Sequence, residues 1–183
     1  MDSATSVRTQ LGRLFAIGIA SLCFAFNSPT NACAQANDQP VANWVWSAER
    51  PEGKSPAGIC YFRKTFVVPE KNSGWIDIAC DSQYTLFANG VKVAAGSGPE
   101  SLDRHSLTPY LRPGRNVIAV EAMKNRAGPA GMLATISLQG QRGAVFHMVT
   151  NETWKTKLQT LNNWQQSEFL DSNWQPAKVL AAA

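Results

Sequence analysis

Asn89-Gly90 stands between Tyr84-Thr85-Leu86-Phe87-Ala88 and Val91-Lys92-Val93, and that pair constrains the fold more than any other feature of the chain. A two-residue type I′ turn needs positive φ at both central positions, which Asn and Gly tolerate, so the flanking runs are predicted to pair as an antiparallel hairpin. The same period of two recurs at residues 75–80, 116–122 and 133–138, each a short β-branched or aromatic run bounded by Gly, Pro, Asn or Asp. Ala134-Thr135-Ile136-Ser137-Leu138 alternates apolar with polar, and residues 117–121 put their larger side chains at Ile118 and Val120. Such half-apolar strands need a second sheet to cover them. Pro113-Gly114 and Gly128-Pro129-Ala130-Gly131 supply further turns. Roughly six or more strands in about 120 residues imply a sandwich or a barrel, with helix limited to one turn near Leu107 to Leu111. Trp46, Phe62, Phe66, Ile78, Leu86, Ile118, Val120 and Ile136 are expected to form one core between two sheets.

The N-terminus follows a different logic. Arg8 and Arg13 precede an uncharged run from Leu14 to Phe26, shorter than the ~20 residues of a spanning helix and suited to an export signal. Ala32-Cys33-Ala34 and Ala34-Gln35-Ala36 are small-residue cleavage sites, and the second is preferred. Residues 1–36 are thus expected to be a signal peptide and 37–183 the mature domain, secreted or periplasmic, with no membrane contact after cleavage.

Cleavage removes Cys23 and Cys33, leaving Cys60 and Cys80 as either one disulfide or two buried thiols on neighbouring strands. Two Cys with two separated His (His105, His147) show no metal-ligand spacing, and no cofactor is expected. Losing Arg8, Arg13 and Asp2 takes the net charge from +4 to +3, unclustered, which argues against a nucleic-acid partner.

Longer motifs carry a resemblance. Trp44-Val45-Trp46, Cys60-Tyr61-Phe62-Arg63-Lys64-Thr65-Phe66, the run from Ala79 to Gly90, Leu111-Arg112-Pro113-Gly114-Arg115-Asn116-Val117-Ile118-Ala119-Val120, Ala130 to Ala134, Thr153-Trp154-Lys155 and Phe169 to Trp174 cover roughly Trp44 to Leu180. Together they resemble the N-terminal jelly-roll module of alpha-L-rhamnosidases and the sugar-binding domains of beta-galactosidase-like glycoside hydrolases. The resemblance implies an all-β, galactose-binding-like jelly-roll sandwich, and it implies that catalytic machinery would reside in a separate, larger domain.

The motif residues themselves read first as framework. Trp44 and Trp46, two apart, share a strand face and are expected in the core. Arg63 and Lys64 point to opposite faces, and the inward one is expected to pair with a carboxylate such as Asp81. Asp81, Ser82 and Asn116 suit the locking of turn amides. The twelve mature Asp and Glu are scattered singly, without the carboxyl pair of a glycosidase, and Gly96-Ser97-Gly98 lacks the nucleophile elbow of a serine hydrolase.

These readings leave a secreted, non-catalytic carbohydrate-binding module that engages a glycan or polysaccharide. The alternatives are a structural or protein-docking sandwich without sugar affinity, set among other extracellular domains, or the front fragment of a longer glycoside hydrolase. The carbohydrate-contacting candidates are Asp103, Arg104, His105 and Tyr110 on one loop, Asn125 and Arg126 on another, and Trp164, whose Asn and Gln neighbours make it the Trp expected to face solvent. Exposure discriminates the classes: a binding module leaves one or two aromatic rings open beside polar groups, whereas a spacer buries all six Trp.

Overall fold

The structure is a computed structural model and describes residues 40–49, 57–70, 73–100, 102–125, 130–140, 143–159 and 162–182. The expected signal segment, its cleavage site and Arg126 lie outside the described residues. Eleven strands follow in chain order: β1 (Asn43–Ser47), β2 (Gly58–Val68), β3 (Ser73–Cys80), β4 (Gln83–Ala88), β5 (Val91–Ser97), β6 (Asp103–Ser106), β7 (Gly114–Lys124), β8 (Met132–Gln139), β9 (Val145–Val149), β10 (Lys155–Lys157) and β11 (Gln175–Ala182). None of the described residues is helical, and Leu107 to Leu111 forms a single turn closed by Leu111 N–H on the Leu107 carbonyl at 3.2 Å.

All pairings are antiparallel and run in the order β5-β4-β7-β2-β10-β11-β1-β8-β3-β6, with β9 also on β8. β11 joins the two halves. Gln175 and Pro176 pair with β10, whereas Ala177 onward pairs with β1, so one strand turns the corner between two facing sheets. Phe62, Leu86, Ile118 and Val120 from the first sheet meet Trp46, Ile76, Ile78, Met132 and Ile136 from the second in one buried cluster. Trp46, Phe62, Ile78, Leu86, Ile118, Val120 and Ile136 belong to this cluster as expected and Phe66 is a partly buried neighbour, but Trp44, also expected in the core, is half-buried outside it at the start of β1. The result is an all-β sandwich built wholly of antiparallel strands.

The hairpin forms as its sequence requires, with φ of 51° at Asn89, 86° at Gly90 and Ala88 opposite Val91. Asn89 does more than turn the chain. Its side-chain amide donates to the Tyr110 carbonyl at 2.9 Å and to Asn116 Oδ1 at 2.8 Å, and its Oδ1 accepts from Val117 N–H at 2.9 Å. Fully buried Asn116 in turn donates to the Arg112 and Gly114 carbonyls at 2.7 and 2.9 Å. These two amides satisfy backbone groups that the Pro113-Gly114 turn would otherwise bury unpaired. Asn116 is therefore framework, as its sequence context suggests.

Three expectations need correction. Cys60 on β2 and Cys80 on β3 are both buried and unbridged, and they stand in opposite sheets rather than on neighbouring strands. Burial pushes the Cys80 thiol up to about 11. Arg63 is buried, but its carboxylate partner is Asp171 at 2.9 Å, not Asp81. Arg63 lies on the outer face of the first sheet, in a row with Ala119 and Phe87, because residues 162–174 fold over that face. Its guanidinium donates to the carbonyls of Gln166 and Phe169, each at 3.2 Å, and to that of Trp164. Burial lowers the guanidinium's pKa, and the Asp171 bond opposes that effect.

The third correction is Trp164. It is 4% exposed, stacked on Trp174 at 6.1 Å and edge-on to Tyr61 at 5.0 Å. Its polar sequence neighbours turn to solvent while the indole caps Ala119 and Phe87. Local polarity says which backbone is exposed, not where a large ring goes once a flat apolar patch lies beneath it.

Candidate functional site

The β5–β6 and β7–β8 loops meet at one end of the sandwich, with the β3–β4 turn as their hub, whereas Tyr110 lies at the other end beside Asn89 and Trp164 lies over the outer face of the first sheet. Asp81 N–H donates to the Gly131 carbonyl at 2.9 Å, Gly98 N–H to the Ser82 carbonyl at 2.8 Å, and Asn125 N–H to Ser82 Oγ at 3.3 Å. Ser82 Oγ also donates to Asp81 Oδ2 at 3.3 Å, which fixes the carboxylate over the turn. Backbone groups of Asp81 and Ser82, with the Ser82 hydroxyl, thus tie the β5–β6 and β7–β8 loops together.

A cavity of about 300 Å³ opens beside this hub, lined by Trp44, Asp81, Pro99, Ala130, Gly131 and the Leu180-Ala181 backbone region. Trp44 is half-buried, unlike Trp46, because it sits at the start of β1, opposite Ala181, where the core runs out. Gly131 makes room for the ring: a Cβ there would stand 2.7 Å from Trp44 Cε3. One face of an indole, one half-buried carboxylate and the exposed Asn125 side chain are therefore collected at one end of the sandwich. The sequence points to the loops, but the spacing of Trp44 predicts core and the position of Asp81 predicts turn locking, so neither residue stands out as a contact. The signal that singles them out is positional: an aromatic residue at a strand's first turn has no partner sheet above it.

The other candidates divide. Asp103 and His105 are brought together by Tyr84, whose hydroxyl lies 2.7 Å from Asp103 Oδ2 and 2.7 Å from His105 Nε2. The phenol is buried, and that burial, reinforced by the Asp103 bond, raises its pKa. This cluster spans β4 of one sheet and β6 of the other and ties the two sheets together through the Tyr84 hydroxyl. Arg104 points away from them. It is bonded to Asp77 at 2.6 and 2.9 Å and lies over the Trp75 ring at 5.7 Å, so the second half-buried indole is already covered by a guanidinium. Tyr110 packs against the core. Of the six Trp, four are buried and two, Trp44 and Trp75, are half-buried beside polar groups. Among the described residues no cluster of three or more His, Cys, Asp or Glu is placed to hold a metal ion.

No family model matches the chain. It is 28% identical over 153 residues to an alpha-L-rhamnosidase of Streptomyces avermitilis, covering 77% of this chain and 14% of the enzyme. The crystal structure of that organism's alpha-L-rhamnosidase complexed with L-rhamnose superposes with a TM-score of 0.69 at 26% identity, over 79% of this chain and 15% of the other. A lectin from Pleurotus ostreatus, solved in complex with GalNAc, superposes with a TM-score of 0.71 at 29% identity, over 78% of this chain and 44% of the lectin chain. The chain spans less than half the length of each of these proteins. Its fold is the galactose-binding-like jelly roll that it shares with alpha-L-rhamnosidase domains and the Pleurotus lectin.

Proposed function

We propose that this domain is an exported, non-catalytic carbohydrate-binding module that holds a pyranoside between Trp44 and Asp81. The observation that carries the reading is the half-buried Trp44 ring, kept open by Gly131 beside a carboxylate in a cavity of about 300 Å³. That volume is at the lower end for small-molecule sites and suits one sugar ring. An indole offers its face to the axial C–H groups of a pyranoside, and Asp81 accepts from hydroxyls as a charged acceptor. The likeness to a lectin solved with GalNAc and to a rhamnosidase solved with L-rhamnose supports a saccharide ligand. Glycoside hydrolysis would need two carboxyls about 5–10 Å apart, and Asp81 is the single carboxylate among the described lining residues.

A docking role has one observation in its favour: exposed Val67 and Phe146 flank a cleft of about 680 Å³ between the ends of β2 and β9. In an extracellular assembly this face would meet a neighbouring domain while the opposite end holds sugar.

A glycan array probed with the full chain, followed by titration with L-rhamnose and GalNAc, tests the reading. Trp44→Ala and Asp81→Asn should each weaken binding at least tenfold, about 1.4 kcal/mol. Unchanged affinity in both variants rejects the site, and binding to no array component rejects the function.

A further inference from the structure

We propose that a groove over Thr85 and Glu121, on the outer face of the first sheet, is a second carbohydrate site that takes a pyranoside by its vicinal hydroxyls. The proposal borrows only the ligand class from the reading above and uses none of its residues.

Register alone assembles the groove. Ala95 stands opposite Thr85, Thr85 opposite Glu121, and Glu121 opposite Tyr61, so these four share one outward row across β5, β4, β7 and β2. Ser97, Gln83 and Met123 form the adjacent row. Strands are about 4.8 Å apart, so each row offers a run of contacts on the scale of a sugar ring or two. Further along the same face residues 162–174 cover the sheet, held down by Arg63, but over these rows a cavity of about 390 Å³ remains, with Trp164 packed on Tyr61 at its border.

Its polar lining is unspent. Among the described residues the side chains of Gln83, Thr85, Ser97 and Glu121 make no hydrogen bond or ion pair, although Thr85 and Glu121 are half-buried. Lys157 lies on the same row beyond Tyr61, but its Nζ turns to the Asn173 carbonyl at 3.4 Å. Half-buried polar groups that ignore one another yet line one cavity are the arrangement of a site whose partners arrive with a ligand. The set also selects the ligand. A lone carboxylate repels phosphate, sulfate and uronate, and one carboxylate is too few for a metal ion. A neutral polyol fits, because a carboxylate can accept from two adjacent hydroxyls while an amide and two hydroxyls donate or accept around it. Met123 and the small Ala95 give the ring's C–H faces an apolar surface to rest on.

The test is an NMR titration of the isotopically labelled full chain with L-rhamnose, with GalNAc and with cationic glucosamine. The expected result is a set of shifts at the Thr85, Ser97 and Glu121 amides that saturates with a neutral sugar, survives Trp44→Ala within about twofold, and weakens tenfold or more in Glu121→Gln and Thr85→Val. Both of those changes lie on the outer face, and spectral dispersion reports that the fold persists. Shifts confined to the Trp44 end would overturn the second site and leave the first intact. Shifts at the groove without any at Trp44 would do the reverse. A groove that answers glucosamine alone is an amine site, and a groove silent to all three probes is no site; either outcome overturns the proposal.

Discussion

Replacing Arg63 should do more damage than replacing any other charged side chain. In Arg63→Ala, Asp171 loses its partner, and the carbonyls of Trp164, Gln166 and Phe169 lose the fork that gathers them. Breaking a buried ion pair from one side costs roughly 3–5 kcal/mol. Asp171 is 20% exposed and regains some hydration, which places the loss near the lower end, about 3 kcal/mol. Arg63→Lys keeps the charge but cannot reach four acceptors from one nitrogen, so it should lose roughly half as much. The assay is urea unfolding followed by Trp emission. With a slope of roughly 2 kcal/mol per M, the alanine variant should shift the midpoint by about 1.5 M. Trp164 and Trp174 emission should also move to the red in mild urea, ahead of the main transition, as the cap lifts from the sheet. An alanine variant that shifts the midpoint by less than about 0.3 M would refute the staple, as would a lysine variant identical to the wild type.

Four other outcomes follow from the structure. Asn116→Ala leaves the Arg112 and Gly114 carbonyls and the Asn89 amide without their partner, and calorimetry or urea unfolding should show a loss of about 2–3 kcal/mol. The protonated Cys80 thiol is favoured by folding, so its contribution is complete below the unfolded value near 9 and is lost as pH rises toward about 11. That shift amounts to roughly 3 kcal/mol, and a melting-temperature profile that declines over this window should flatten in Cys80→Ala. Tyr84, raised by burial and by Asp103, adds a further loss above pH ~10 that Tyr84→Phe should remove. Gly131→Ala puts a methyl 2.7 Å from the Trp44 ring, so sugar affinity should fall about tenfold while stability changes by less than about 1 kcal/mol.

Much of this fold is legible because its signals are local. Asn89-Gly90 demands a particular backbone, and alternation in the runs around Ile136 and Ile118 assigns one face of each strand to the core without knowledge of its partner. The misjudged positions depend on long-range surroundings, and two of them on what covers the outside of a sheet. Trp164 looks solvent-facing until residues 162–174 are laid over Ala119, and Arg63 finds Asp171 only through that same contact, more than a hundred residues away. Trp44 and Trp46 share a spacing but not an environment, because one stands at the end of the sandwich and the other inside it. Asp103 and His105 were singled out for polarity in a loop, whereas β6 turns them inward onto Tyr84 and turns Arg104 out to Asp77. Unspent groups such as Glu121 are invisible in sequence, since only the register shows which neighbours they lack.

The most direct measurement is the set of six indole N–H signals in a ¹⁵N-labelled chain titrated with L-rhamnose or GalNAc. If the Trp44–Asp81 cavity holds sugar, the Trp44 signal shifts and saturates while those of Trp46, Trp154, Trp164 and Trp174 stay in place. A sugar that binds while the Trp44 signal stays still contradicts the account.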